Sequence, residues 1–117
     1  MRLGALYRDD VCLVARTWLA DTALSRLRGL LGRTPLAPDA GEGLLLKPCG
    51  SVHTFGMHYP IDVVYLDAEG GVLTTRENML PTRTSACRGA RQTLELFAGG
   101  IEILRLRRGD RLLWRSM

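Results

Sequence analysis

Two histidines, the only ones in the chain, lie close together in the stretch Ser51 to Asp67, read as SVHTFGMHYPIDVVYLD. His53 and His58 are accompanied there by Thr54, Phe55, Met57, Asp62 and the turn formers Gly56 and Pro60. Imidazole, thioether, hydroxyl and carboxylate in one short segment can bind a metal, move a proton or grip a polar ligand. After Pro60, the residues Ile61, Val63, Val64, Tyr65 and Leu66 form a β-branched and aromatic run broken only by Asp62. A run of this kind, bounded by turn formers, predicts a mostly buried strand. The polar cluster therefore sits on a loop delivered by a strand, where binding and catalytic groups concentrate.

Three chemistries are open to these residues. Cys49 and His53 are four positions apart, with Met57, His58 and Cys87 in reserve, and sulfur with imidazole suits zinc or copper(I). The spacing contains neither CxxC nor HxxxH, however, and cysteine is often buried without any ligand role; no metal or other cofactor is expected. Cys49 or Cys87 with His53 and Asp62 would supply the elements of a cysteine triad, although no glycine-flanked nucleophile elbow is present. In the third reading, Arg26, Arg28 and Arg33 converge with His53, Thr54 and His58 on a small anionic or polar ligand, because the guanidinium fork matches carboxylate and phosphate. Against this stands a structural reading in which Arg26 pairs with Asp62 at the sheet face, since a carboxylate inside an apolar strand is costly without a cation or several donors. Phe55, Met57 and Tyr59 alternate at strand spacing, which would place all three on one face, as core or as an apolar strip for a ligand.

The elements that must position these groups follow from the patterning. Leu3 to Tyr7 and Val11 to Leu19 are predicted strands. Asp21 or Thr22 offers a helix cap, and Leu24, Leu27, Leu30 and Leu31 at helical spacing predict a helix from Thr22 to Leu31, stopped by Gly32, with one apolar face on the sheet. Pro35, Pro38 and Gly41 make Arg33 to Glu42 a loop. Short strands are expected at Gly43 to Lys47, Ile61 to Leu66, Val72 to Arg76 and Arg111 to Trp114, with an Asp67–Gly71 hairpin. Gln92 to Phe97 alternates Leu94 and Leu96 with Thr93 and Glu95, predicting a half-buried strand. Ile101 to Leu106 fits helix or strand. The sum is an α+β single domain over residues 1–117, mostly antiparallel, a curled sheet or small barrel with one or two short helices.

Composition narrows the classes. With 46% hydrophobic and 24% charged residues the chain is an ordinary globular domain. No run approaches the roughly 18 apolar residues of a membrane helix, so no membrane role is expected. The start, MRLGALYRDD, gains charge before a leader's apolar core can develop, which makes the cytoplasm the default address. Three widely spaced cysteines, Cys12, Cys49 and Cys87, favour free thiols there; export would leave a Cys49–Cys87 bridge open. The net charge of +4 rests on arginines scattered from Arg2 to Arg115, with Lys47 the sole lysine. Lacking interleaved aromatic platforms, they predict a solvated surface rather than a nucleic-acid face.

Three blocks carry a resemblance. They are Ser25-Arg26-Leu27-Arg28-Gly29-Leu30-Leu31-Gly32-Arg33, then His53-Thr54-Phe55-Gly56-Met57-His58-Tyr59-Pro60-Ile61-Asp62 running on to Gly70 and Gly71, and Leu94-Glu95-Leu96-Phe97-Ala98-Gly99 followed by Gly109-Asp110. In order and spacing, roughly from Leu13 to Leu113, they resemble the domain of unknown function 192 family, also called uncharacterised protein family 0127. The resemblance implies a compact, mostly β fold with short helices and brings no substrate or reaction. It departs at position 58, where the family pattern carries arginine, so an anion-binding role for His58 would be weaker or pH-dependent. Two functions of different class remain: a non-enzymatic ligand-binding or accessory module using a cleft between the Arg26 helix and the His53 loop, and a small hydrolase-like enzyme using His53 with Cys49 or Asp62. A hydrogen bond from His53 to either partner in an open cavity would favour the enzyme. Arg26, His53, Thr54, Phe55, Met57, His58 and Asp62 are the candidate ligand-binding residues.

Overall fold

A computed structural model describes residues 1–30 and 33–117, without the side chains of residues 27 and 28. Seven strands form one mixed sheet: β1 (Arg2–Arg8), β2 (Val11–Ala20), β3 (Gly43–Leu46), β5 (Ile61–Leu66), β6 (Val72–Met79), β8 (Gln92–Phe97) and β9 (Leu112–Ser116), in the spatial order β6-β5-β8-β3-β2-β1-β9. Only β2 and β3 pair in parallel. Two short strands between these, β4 (Ser51–His53) and β7 (Thr84–Ala86), pair with each other outside the main sheet. The sequence patterning predicts neither strand, because three residues are too few to show a period.

The sheet curls without closing its ladder. Its two edges touch at one end, where Gly71 bridges Arg111 and Leu112 N–H donates to the Gly70 carbonyl at 2.9 Å. Asp67 shapes the hairpin that delivers this contact, its Oδ1 accepting from Glu69 N–H at 2.9 Å and Gly71 N–H at 2.8 Å. At Gly70 a positive φ of 88° and a β-carbon that would sit 2.1 Å from the Leu112 carbonyl oxygen admit glycine alone. Gly70→Ala therefore should part the two edges and cost about 3 kcal/mol in urea unfolding; an unchanged midpoint would contradict this account of the seam.

β5 is buried over its whole length because both its faces are covered. Val64 and Leu66 join Leu6, Val14, Leu45, Leu94, Leu96 and Leu112 in an inner cluster within the curl. Ile61, Val63 and Tyr65 face the other way, into a second cluster with Leu30, Leu36, Leu44 and Met79, overlaid by Met57 and Tyr59 from the loop. That second layer corrects the half-buried expectation for β8: Thr93 and Glu95 alternate with leucines yet are 0% and 6% exposed. Thr93 meets the cost of burial by donating its hydroxyl to the Cys49 carbonyl at 3.0 Å.

The first helix, α1 (Ala23–Arg28), is shorter than its leucine spacing predicted. Thr22 caps it, exchanging hydrogen bonds with Ser25, while Asp21 pairs instead with Arg2 at 2.8 Å. The helix ends at Gly29, with φ 51°, three residues ahead of the expected stop; Leu31 and Gly32 lie outside the described residues. Of the four leucines of the expected apolar face, Leu24 is 76% exposed and Leu30, past the helix end, enters the outer cluster; the side chains of the other two lie outside what is described. The ambiguous segment is helical, α2 (Gly100–Leu104), and packs Ile101 into the inner cluster. No described helix is long and apolar enough to cross a membrane.

Candidate functional site

Asp62 breaks the apolar strand for a structural reason. Its Oδ1 accepts from Asn78 N–H at 2.8 Å, beside the register shift between β5 and β6. Its Oδ2 accepts from Gly99 N–H at 3.1 Å and Ile101 N–H at 3.0 Å, fixing the entry to α2. Three backbone donors thus satisfy the buried carboxylate, and the expected Arg26–Asp62 pair is not formed. Arg26 turns back to its own helix start, donating to the Asp21 carbonyl at 3.2 Å. A carboxylate in this strand requires a cation or several donors; backbone amides outcompete the arginine because they are already fixed in place and lose no side-chain entropy.

Thr54 is likewise a fastener. Fully buried, it donates to the Leu80 carbonyl at 2.7 Å and accepts from Arg83 N–H at 2.8 Å, tying the histidine loop to the loop around Pro81. His53 and Phe55 lie on the outside, stacked with ring centroids 5.6 Å apart and Phe55 49% exposed. His53 contributes to a shallow groove with Arg76, Thr84 and Ser85. It is hydrogen-bonded to neither Cys49 nor Asp62 among the described residues. Cys49 donates its thiol to the Ser51 carbonyl, all three cysteines are free, and among the described residues no His/Cys/Asp/Glu cluster is arranged to hold a metal. The shared face expected for Phe55, Met57 and Tyr59 is absent, since Gly56, with φ 83°, turns the chain after Phe55. Phe55 stays outside while Met57 and Tyr59 turn onto the outer cluster.

A separate cleft of about 260 Å³ opens between the segment after α1 and this loop, lined by Leu30, Arg33, Pro35, Gly56, Met57, His58 and Tyr59. Of the candidate residues, Met57 and His58 line it; Arg26, His53, Thr54, Phe55 and Asp62 do not. The Tyr59 ring stacks nearly parallel on Phe97, with centroids 5.4 Å apart and an interplanar angle of 7°. Its hydroxyl is buried with no hydrogen-bond partner among the described residues. The Leu36 backbone is close enough to act on the phenol without meeting hydrogen-bond geometry. Burial chiefly raises the Tyr59 pKa, with Glu95 and Glu42 adding to the rise and the Leu36 backbone and Arg33 opposing it.

Arg33 lies over the Trp18 ring, 5.1 Å from its centroid. Trp18 Nε1–H donates to Glu42 Oε2 at 2.7 Å, and Ala37 N–H donates to Glu42 Oε1 at 3.1 Å. Glu42 therefore has its own donors and stands 4.0 Å from the Arg33 guanidinium. Glu95 projects from β8 on the face shared with Val63 and Leu44, its cross-strand partners, and burial raises its pKa to about 7. Neither Glu95 nor the Tyr59 hydroxyl was singled out from sequence. Glu95 was hidden in an alternation that read as a solvent face, and Tyr59 in an aromatic stripe that read as packing.

The fold has close counterparts among solved structures. A Novosphingobium aromaticivorans protein of unknown function superposes with a TM-score of 0.79 at 23% identity, covering 96% of this chain and 84% of its own. A Sinorhizobium meliloti protein described as a "putative transcription regulator" superposes with a TM-score of 0.78 at 25% identity, covering 96% and 92%. No curated protein matches the chain. The family model DUF192, described as "Uncharacterized ACR, COG1430", matches residues 7–114. Spanning nearly the whole domain, that match establishes that the chain belongs to the DUF192 family.

Proposed function

We propose that the protein is a non-enzymatic ligand-binding module whose site is the cleft between Arg33 and the Gly56–Tyr59 turn, taking a small anionic or polar ligand. The observation that carries this reading is the Tyr59 hydroxyl, buried without a hydrogen-bond partner among the described residues, on a side chain that lines the cleft. Leaving a buried hydroxyl unpaired costs about 1–3 kcal/mol, and a fold retains such a group most economically where a ligand completes it. The cleft combines apolar walls from Leu30, Pro35 and Met57 with convergent polar groups from Arg33, His58 and Tyr59, the usual make-up of a small-molecule site. The hydrolase-like alternative has no comparable support, because Asp62 is occupied by amides and His53 engages neither proposed partner.

Tyr59→Phe tests this. Removing an unpaired buried hydroxyl should leave the thermal midpoint unchanged or raise it, by up to about 1 kcal/mol of stability. In an NMR screen of small polar fragments against the intact chain, shifts should cluster at Leu30, Met57 and Tyr59, and the variant should bind the same fragments about tenfold more weakly. Shifts clustering elsewhere, or a variant that binds as well as the parent, would defeat the proposal.

A further inference from the structure

We infer that the cleft selects a small monocarboxylate with an apolar body, its carboxylate received by the Arg33 guanidinium. This inference rests on the cleft being a ligand site and names the class it takes. The Arg33 guanidinium carbon lies 5.1 Å from the Trp18 ring centroid, a cation–π contact that restrains the fork beside the cleft. Among the described residues its contacts are modest. Nη1 donates to the sulfur of Met1 at 3.1 Å, a weak acceptor, and the nearest carboxylate is Glu42 at 4.0 Å. At 4.0 Å Glu42 is too distant to hydrogen-bond the fork, and its oxygens accept from Trp18 and Ala37 instead. A planar fork with its geometry fixed and its donors underused is the partner of a carboxylate, which it can take through two parallel hydrogen bonds.

The charges nearby favour one negative charge over two. Among the residues lining the cleft Arg33 is the one permanent cation, and the Glu42 carboxylate already stands 4.0 Å from it. A phosphate monoester bearing close to two charges would meet that carboxylate with its second charge unbalanced, whereas a carboxylate adds a single charge for Arg33 to receive. Discrimination then comes from like-charge repulsion as well as attraction. The volume, about 260 Å³, lies just below the range of roughly 300–1,000 Å³ for drug-sized ligands, so the occupant is a small molecule. Leu30, Pro35 and Met57 supply its apolar contact, and the Tyr59 ring, backed by Phe97, forms a rigid wall.

The experiment follows the methionine methyl groups of the intact, isotope-labelled chain. Met57 lines the cleft, while Met79 in the outer cluster and Met117 at the chain end serve as references. Three probes are titrated: 3-phenylpropionate, 3-phenylpropionamide and phenyl phosphate. The expected result is a saturable Met57 shift with the acid, binding at least tenfold tighter than the amide and tighter than the phosphate. Arg33→Lys keeps the charge and removes the fork, and should weaken the acid at least tenfold while circular dichroism stays unchanged. Equal binding of acid and amide at Met57 would overturn the carboxylate assignment and leave the cleft as a ligand site. Tighter binding of phenyl phosphate would overturn the single-charge argument. No Met57 shift with any probe would also overturn the assignment, and the wider fragment screen then decides separately whether the cleft binds anything.

Discussion

Asp62→Ala should lower the unfolding free energy by about 4 kcal/mol, among the largest effects of any single substitution in this chain. The variant strands three backbone donors, those of Asn78, Gly99 and Ile101, in a region where the parent carboxylate is fully buried. Each buried donor left without an acceptor costs about 1–3 kcal/mol, partly offset because the carboxylate no longer has to be desolvated. The loss should be structural as well as energetic, since the same oxygens join the β5–β6 irregularity to the start of α2. Amides of residues 99–103 should exchange hydrogen faster than those of β1 and β2, which the carboxylate does not touch. Arg26→Ala is the control: among the described residues the Arg26 guanidinium holds only the Asp21 carbonyl near the surface, and its loss should stay within about 0.5 kcal/mol. Urea unfolding of both variants settles the matter; equal costs for the two would restore the arginine–carboxylate pair that the sequence suggested.

The second large effect is a pH dependence of stability carried by Glu95. Burial raises its pKa from 4.5 to about 7 in the folded chain, so the fold holds a proton that the unfolded chain has released. Between those two values the native state binds more protons than the unfolded state, and stability must fall as pH rises. Its contribution is fully present below pH 4.5, is lost as pH climbs through 7, and amounts to about 3 kcal/mol at 1.36 kcal/mol per unit. Ordinary carboxylates with lowered pKa values act in the opposite sense, so the effect is read from the difference between the parent chain and Glu95→Gln. That difference should favour the glutamine variant increasingly from pH 4.5 to 8, by about 3 kcal/mol across the window. A flat difference curve would mean that Glu95 is charged and compensated within the fold. Together with Tyr59→Phe, this separates two groups that share one neighbourhood: the phenol hydroxyl is expected to act on ligand binding, the carboxyl on stability.

Much of the architecture could be read from the chain alone, because the signals are local. β5 has too many β-branched and aromatic residues to be anything but a buried strand, and the Asp67–Gly71 hairpin declares itself by residue type. The sequence also determined that Asp62 needed several donors or a cation, whereas the cleft expected between the Arg26 helix and the His53 loop lies instead between Arg33 and the Gly56–Tyr59 turn. What it could not specify was which groups meet across distance. Whether Asp62 faces Arg26 or the amides of α2 depends on the curl of the sheet, which no local period encodes. Whether Thr93 and Glu95 face water or a second apolar layer depends on where the segment from Leu30 to Tyr59 is laid down. The helix stopped early because Gly29 adopts a positive φ at its end, which the leucine spacing did not show. The Arg33–Trp18 contact, the Trp18–Glu42 hydrogen bond and the Tyr59–Phe97 stack each join residues far apart in the chain. Side-chain chemistry and short-range periodicity are properties of the sequence, whereas the partner each polar group finds is a property of packing, and only the tertiary structure decides it.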